Sequence, residues 1–166
     1  MRRFSVSLLL SLLLCAVSAQ AVPVPDRLQP VGHADLRVFF MKIYRAELYS
    51  TSGRYEKLQG PLMLRLIYQR DISSNRLVSE TRKQIGDLPD AQLDQWMARL
   101  AGMWPDLEKG DELTFYMDPE GRGHFHHNGQ YIGSLEDRVF TEAFLNIWLA
   151  DDSAYPKLTR KLRGEH

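Results

Sequence analysis

Between residues 36 and 48 apolar side chains fall on both parities of an extended chain. Leu36, Val38, Phe40 and Tyr44 share one face, and Phe39, Met41 and Ile43 share the other. A strand that is apolar on both sides predicts cover on both faces. Thr51-Ser52-Gly53 reads as a turn. Leu62, Leu64, Leu66 and Tyr68 then alternate with Met63, Arg65, Ile67 and Gln69, which predicts a second strand.

The period changes after residue 70. Asp71 or Ser73 is placed to cap a helix carrying Leu77, Val78, Thr81 and Ile85. Asp90 is expected to cap the next, where Leu93, Trp96, Met97, Leu100 and Trp104 fall on one helical face and Pro105 stops the run. Strand periodicity returns at residues 112–117. Asn128-Gly129 then sits between two short extended segments in residues 123–134, and that pair favours the type I′ turn of a tight hairpin. Ser134, with Asp137 three residues on, predicts a capped helix running to about residue 149. It is apolar nearly all round and is expected to be the most buried helix. A short polar helix near residues 155–162 ends the chain. Hairpin-linked strands with segregated helices imply an α+β fold: an antiparallel sheet with helices packed on one face.

Residues 1–21 stand apart. Arg2 and Arg3 precede an uncharged apolar run at residues 8–17, and Ala19-Gln20-Ala21 supplies small residues at the positions a signal peptidase reads. The run is too short to span a bilayer, which takes about 20 apolar residues. A removable secretory leader is therefore expected at 1–21, one domain at 22–166, and a periplasmic or secreted location. Leu14, ahead of Cys15, argues against a lipoprotein signal. Cleavage there would remove the only cysteine, so stability must come from an apolar core. Residues 22–30, with three prolines, read as an extended lead-in. Without Arg2 and Arg3 the chain carries 19 basic and 21 acidic residues, a net charge of −2. That balance gives no overall electrostatic reason for a nucleic-acid or anionic-membrane partner.

Several segments together resemble one family. They are Arg37 followed by Lys42-Ile43-Tyr44-Arg45-Ala46-Glu47-Leu48-Tyr49, then Leu66-Ile67-Tyr68-Gln69-Arg70-Asp71-Ile72, then Lys109-Gly110-Asp111, then Asn128-Gly129 with Gly133, and Phe144-Leu145-Asn146-Ile147-Trp148-Leu149. In that order they resemble chalcone isomerase-like proteins over about residues 28–162, and the exported bacterial branch most. The resemblance implies an open-faced sandwich with a ligand cleft between sheet and helices. The plant enzymes hold a ketone and a water with an arginine, two threonines, a tyrosine and an asparagine. The arginine matches Arg37. The other positions fall on Tyr44, Ile72, Ser79 and Ile147. Stabilising an enolate-like transition state needs a preorganised donor set, and each lost donor costs about 100-fold or more. These departures argue against that isomerase activity. In non-catalytic relatives that bind fatty acids, the matching arginine holds the carboxylate.

Arg37 is thus the leading candidate. Its apolar neighbours would make an unpaired charge costly to bury, and a guanidinium suits a carboxylate. The alternative is a place at the sheet edge or a pair with Asp35. Tyr44 and Tyr68 are candidate lining residues of the implied cleft, although strand tyrosines, Tyr49 included, more often simply pack. His124 and His126 would share a strand face, but a structural zinc site needs about four ligands and the hairpin is expected to be exposed, so no metal site is expected. Trp96, Trp104 and Trp148 read as packing. Lys157, Arg160, Lys161 and Arg163 read as a solvated helix face. No phosphate loop, nucleophile elbow or cofactor motif is present. The expected partner is a small apolar or carboxylate-bearing ligand, with no cofactor, no nucleic acid and no stable membrane insertion after cleavage. The competing readings are an isomerase or lyase with a rearranged site, and an envelope interaction module.

Overall fold

A computed structural model describes residues 23–165; the proposed leader lies outside the described residues. Six strands form one fully antiparallel sheet in chain order: β1 (Gln29–Val38), β2 (Met41–Ser50), β3 (Leu62–Tyr68), β4 (Glu112–Met117), β5 (Gly123–His127) and β6 (Gln130–Leu135). Helices α1 (Ser74–Gln84) and α2 (Asp90–Met103) interrupt it, and α3 (Arg138–Leu149) and α4 (Pro156–Leu162) follow. The α+β class is as expected.

The strand alternation separates two faces. Leu48, Leu64, Phe115 and Phe125 lie opposite one another across β2 to β5. All four are buried on the helix side. The other parity carries Glu47, Arg65, Thr114 and His126 in register. Phe115, Phe125, Phe140 and Phe144 pack ring against ring with Trp104 and Trp148, at centroid separations from 4.7 to 6.3 Å. Such clusters supply large buried area and favour tilted contacts. They fill the space between sheet and α3.

The single strand expected over residues 36–48 is instead two strands and a tight turn. Val38 pairs with Met41, and Phe39 and Phe40 form the tip, with Phe39 at φ 55°. No Gly, Asn or Asp marks this turn, so two-sided apolarity concealed it. By contrast, Asn128 (φ 50°) and Gly129 (φ 80°) take the left-handed pair of a type I′ hairpin, as their sequence requires.

Two caps differ from expectation. Ser73 does cap α1, accepting from the Arg76 amide. Ser134 lies within β6, and Asp137 is the α3 cap, accepting from the amides of Val139 and Phe140. Asp90 is the first residue of α2 behind Pro89, which provides no side-chain cap. Helix α4 packs closely on the edge strand: a Cβ at Gly32 would overlap the carbonyl oxygens of Lys161 and Leu162.

Candidate functional site

Burial sorts the three candidate residues into different environments. Leu36, Tyr44 and Tyr68 are register partners on β1, β2 and β3. All three are buried on the helix side. Arg37, one residue further along β1, is exposed. The expectation of a guanidinium enclosed among apolar neighbours is therefore corrected. Phe39 and Phe40 are 89 % and 97 % exposed, so they supply no enclosure. The interior that would have received the charge is filled by aromatic rings. Arg37 has no ion pair or side-chain hydrogen bond among the described residues; Asp35, its alternative partner, is taken by Lys42 at 2.9 Å.

Arg37 does line a broad groove of about 1050 Å³ between β1 and α4. Arg45, Lys157 and Lys161 line it too, alongside apolar Val31, Leu36 and Leu158. Lys157 and Lys161 belonged to the run expected to be a solvated face. They line the same groove because α4 docks on the sheet edge, with Lys161 against Gly32, five residues along β1 from Arg37. Arg163 departs from that face: it donates to the Leu149 carbonyl, pairs with Asp151 at 2.7 Å and lies over the Tyr55 ring at 5.2 Å.

Tyr44 and Tyr68 meet edge to face at 5.6 Å. The Tyr44 hydroxyl accepts from the Trp148 indole Nε1 at 2.8 Å. Burial pushes the Tyr44 pKa well above the usual phenol value, with the Trp148 hydrogen bond opposing it. Burial raises Tyr68 likewise, aided by its neighbour Tyr44. Both stay neutral phenols across physiological pH. Tyr68 lines a smaller cavity of about 180 Å³ with Met41, Ile43, Arg70 and Ile72, whereas Tyr44 lines neither cavity. The fold thus does not gather Arg37, Tyr44 and Tyr68 around one point. Of the other positions matched to the plant enzymes' donors, Ile72 bridges Leu107, Ser79 is exposed and Ile147 is buried.

The histidine segment also departs from expectation. His124 and His126 are only 3 % and 5 % exposed, although they lie on the face away from the helices. Tyr116 and Tyr131 rings lie against them. His124 Nε2 is 2.9 Å from Asp118 Oδ2, and Arg122 Nε donates to the same oxygen at 2.7 Å. Burial alone would raise the Asp118 pKa; the hydrogen bonds from His124 and Arg122, with the Arg122 charge, outweigh it and hold it at about 2. Among the described residues no group of three or more histidine, cysteine or acidic side chains is placed to hold a metal.

Comparison with known proteins agrees with the architecture. The family model described as chalcone isomerase-like matches residues 23–164. An uncharacterized protein of Haemophilus influenzae is 30 % identical over 139 residues, covering 82 % of this chain and 68 % of that one. The crystal structure of an Arabidopsis thaliana fatty-acid binding protein superposes with a TM-score of 0.65 at 9 % identity, covering 86 % of this chain and 89 % of that one. At that identity the superposition speaks for a common fold. A sequence match across nearly every described element, together with that architecture, shows that the chain belongs to the chalcone isomerase-like family.

Proposed function

We propose that this protein is a non-catalytic binding protein for a small molecule with an apolar body and an acid group, of the fatty-acid kind, acting in the periplasm or outside the cell. The observation that carries the reading is the β1–α4 groove, where Arg37 has no ion pair or side-chain hydrogen bond among the described residues; Lys157, Lys161 and the Glu47-paired Arg45 share the lining with Asp35 and apolar side chains. A guanidinium there offers a two-pronged donor to a carboxylate, and the lysines elsewhere on the groove wall add longer-range attraction. The groove is at the upper end of the size range of small-molecule sites. The structural neighbour is described as a fatty-acid binding protein, which is in keeping with this reading.

Binding is favoured over turnover because the matched donor positions do not surround one oxygen. Tyr44 is engaged by Trp148, and Ile72 and Ile147 have no polar side chain. Electrostatic catalysis requires donors already aimed at the developing charge. The location rests on the leader pattern at residues 1–21. None of the described helices is long and apolar enough to cross a membrane.

The test is native purification, solvent extraction and mass spectrometry of what is released. A melting-temperature series with palmitate and with its methyl ester should accompany it. The acid should raise the melting temperature and the ester, which lacks the charge, should not. An empty protein that no acid stabilises would dispose of the reading.

A further inference from the structure

The β1–β2 turn presents four consecutive apolar side chains to solvent: Val38 (38 % exposed), Phe39 (89 %), Phe40 (97 %) and Met41 (46 %). Among the described residues the only other large apolar side chain so exposed is Val139 on α3. Phe39 also holds φ 55°, in the left-handed region that bulky residues rarely adopt. Asn or Gly would suit this position better, so local stability does not account for the phenylalanine.

Cations ring the base of this tip. Arg37 and Lys42 are register partners one step below Val38 and Met41. The Arg70 guanidinium contacts the Met41 sulfur, and Arg76 lines the adjacent small cavity with Met41 and Ile43. The acidic groups nearby are Asp35, which pairs with Lys42, and Asp71, which accepts from the Lys109 amide. Among the described residues four cations therefore face two carboxylates here, a local excess of positive charge on a chain with no overall basic character.

We propose that the Phe39–Phe40 tip is a wedge that docks this protein on the surface of an anionic lipid bilayer. The layering fits: from the Arg37–Lys42 pair to the tip is two residue steps, about 7 Å of strand. Apolar faces of interfacial segments sit about 5–10 Å into the headgroup and acyl boundary. Phosphate groups would then lie at the level of the cations. A protein partner is the weaker fit. The tip is convex, and two phenylalanines bury only about 400 Å² between them. A stable protein interface takes about 800 Å² on each side. A bilayer closes around a wedge without a complementary shape. The wedge itself stands apart from the groove reading, since Phe39 and Phe40 line neither cavity; Arg37 is the one residue the two share.

The test is flotation of the chain lacking residues 1–21, which keeps every described element, with phosphatidylglycerol–phosphatidylethanolamine vesicles and with phosphatidylcholine vesicles. Binding to the anionic vesicles should be clear and should weaken with salt. The double variant Phe39→Asn, Phe40→Ser should lose ten-fold or more in partitioning. Arg70→Gln should lose about five-fold. The double variant should melt no lower than the wild type, because Phe39 and Phe40 are almost fully exposed and Asn suits the left-handed position. If that variant does not fold, Phe40→Trp answers instead: brominated lipids should quench the added indole, while the three native tryptophans are buried. Failure to bind anionic vesicles, unchanged binding by a folded double variant, or no added quenching in Phe40→Trp overturns the proposal. So does self-association that the double variant abolishes while vesicle binding persists.

Discussion

The indole of Trp148 on α3 donates to the hydroxyl of Tyr44 on β2 at 2.8 Å, joining helix and sheet inside the core across 104 positions of sequence. Removing either partner alone strands a buried polar group, which costs about 1–3 kcal/mol. Trp148→Phe and Tyr44→Phe should each destabilise by at least that amount, with lost packing added for Trp148. The double variant should cost less than the sum, because both polar groups leave together. A urea-unfolding double-mutant cycle measures the difference, and strict additivity would show that the bond contributes nothing.

Gly32 is fixed by the close approach of α4. Its Cβ position is occupied by the backbone carbonyls of Lys161 and Leu162, which cannot rotate aside as a side chain can. Gly32→Ala should cost about 1–3 kcal/mol and loosen α4. Faster hydrogen exchange at the amides of Thr159, which donates to the Tyr155 carbonyl, and Leu162, without a matching change in β4, is the expected signature.

Asp118 gives the fold an acid-sensitive term with a definite sign. Its folded pKa, about 2, lies below its ordinary value of 3.8. The ionised form is thus favoured in the folded state. Its stabilisation, about 2 kcal/mol, is complete above roughly pH 5 and disappears as pH falls from about 4 toward 2. The urea midpoint of the wild type should fall across that window more steeply than that of Asp118→Asn. Parallel curves would remove Asp118 as the cause.

Asp137 accepts two α3 amides and also the Trp96 indole Nε1 at 3.1 Å, so one carboxylate joins α2 to the start of α3. Asp137→Ala should cost about 2 kcal/mol, at the upper end for a lost cap. Ser134→Ala should cost far less, since Ser134 caps nothing. Calorimetric melts of the two variants decide between them.

Arg37 is exposed and unpaired among the described residues, so Arg37→Ala should change stability by no more than about 0.5 kcal/mol. Under the proposed function its affinity for palmitate should fall ten-fold or more, the cost of a lost charge-assisted hydrogen bond. Isothermal titration measures both proteins, and equal affinities would take Arg37 out of the site.

Much of the fold was legible because the signals are local. The alternation in Leu62–Tyr68 marks a strand buried on one face and half-buried on the other. Asn128-Gly129 marks its turn because those residues tolerate positive φ. Leu93, Trp96, Met97 and Leu100 mark the buried stripe of α2. The turn at Phe39–Phe40 was illegible because its residues have no preference for that backbone, and its apolar character imitated a strand. The burial of His124 and His126 was illegible because neither is hidden by its own strand: rings and an ion pair from β4, β6 and the β4–β5 turn close over them.

The same division runs through the candidate site. Strand alternation, turns, helix stripes and the residue types able to bind an anion were all written in the chain, because each depends on a few neighbouring positions. It took the folded arrangement to show that Arg37 faces an edge groove rather than the core, that Lys157 and Lys161 join it, and that two phenylalanines stand in water. Those facts depend on how α4 and the aromatic rings fill space, and space is shared by residues far apart in the chain.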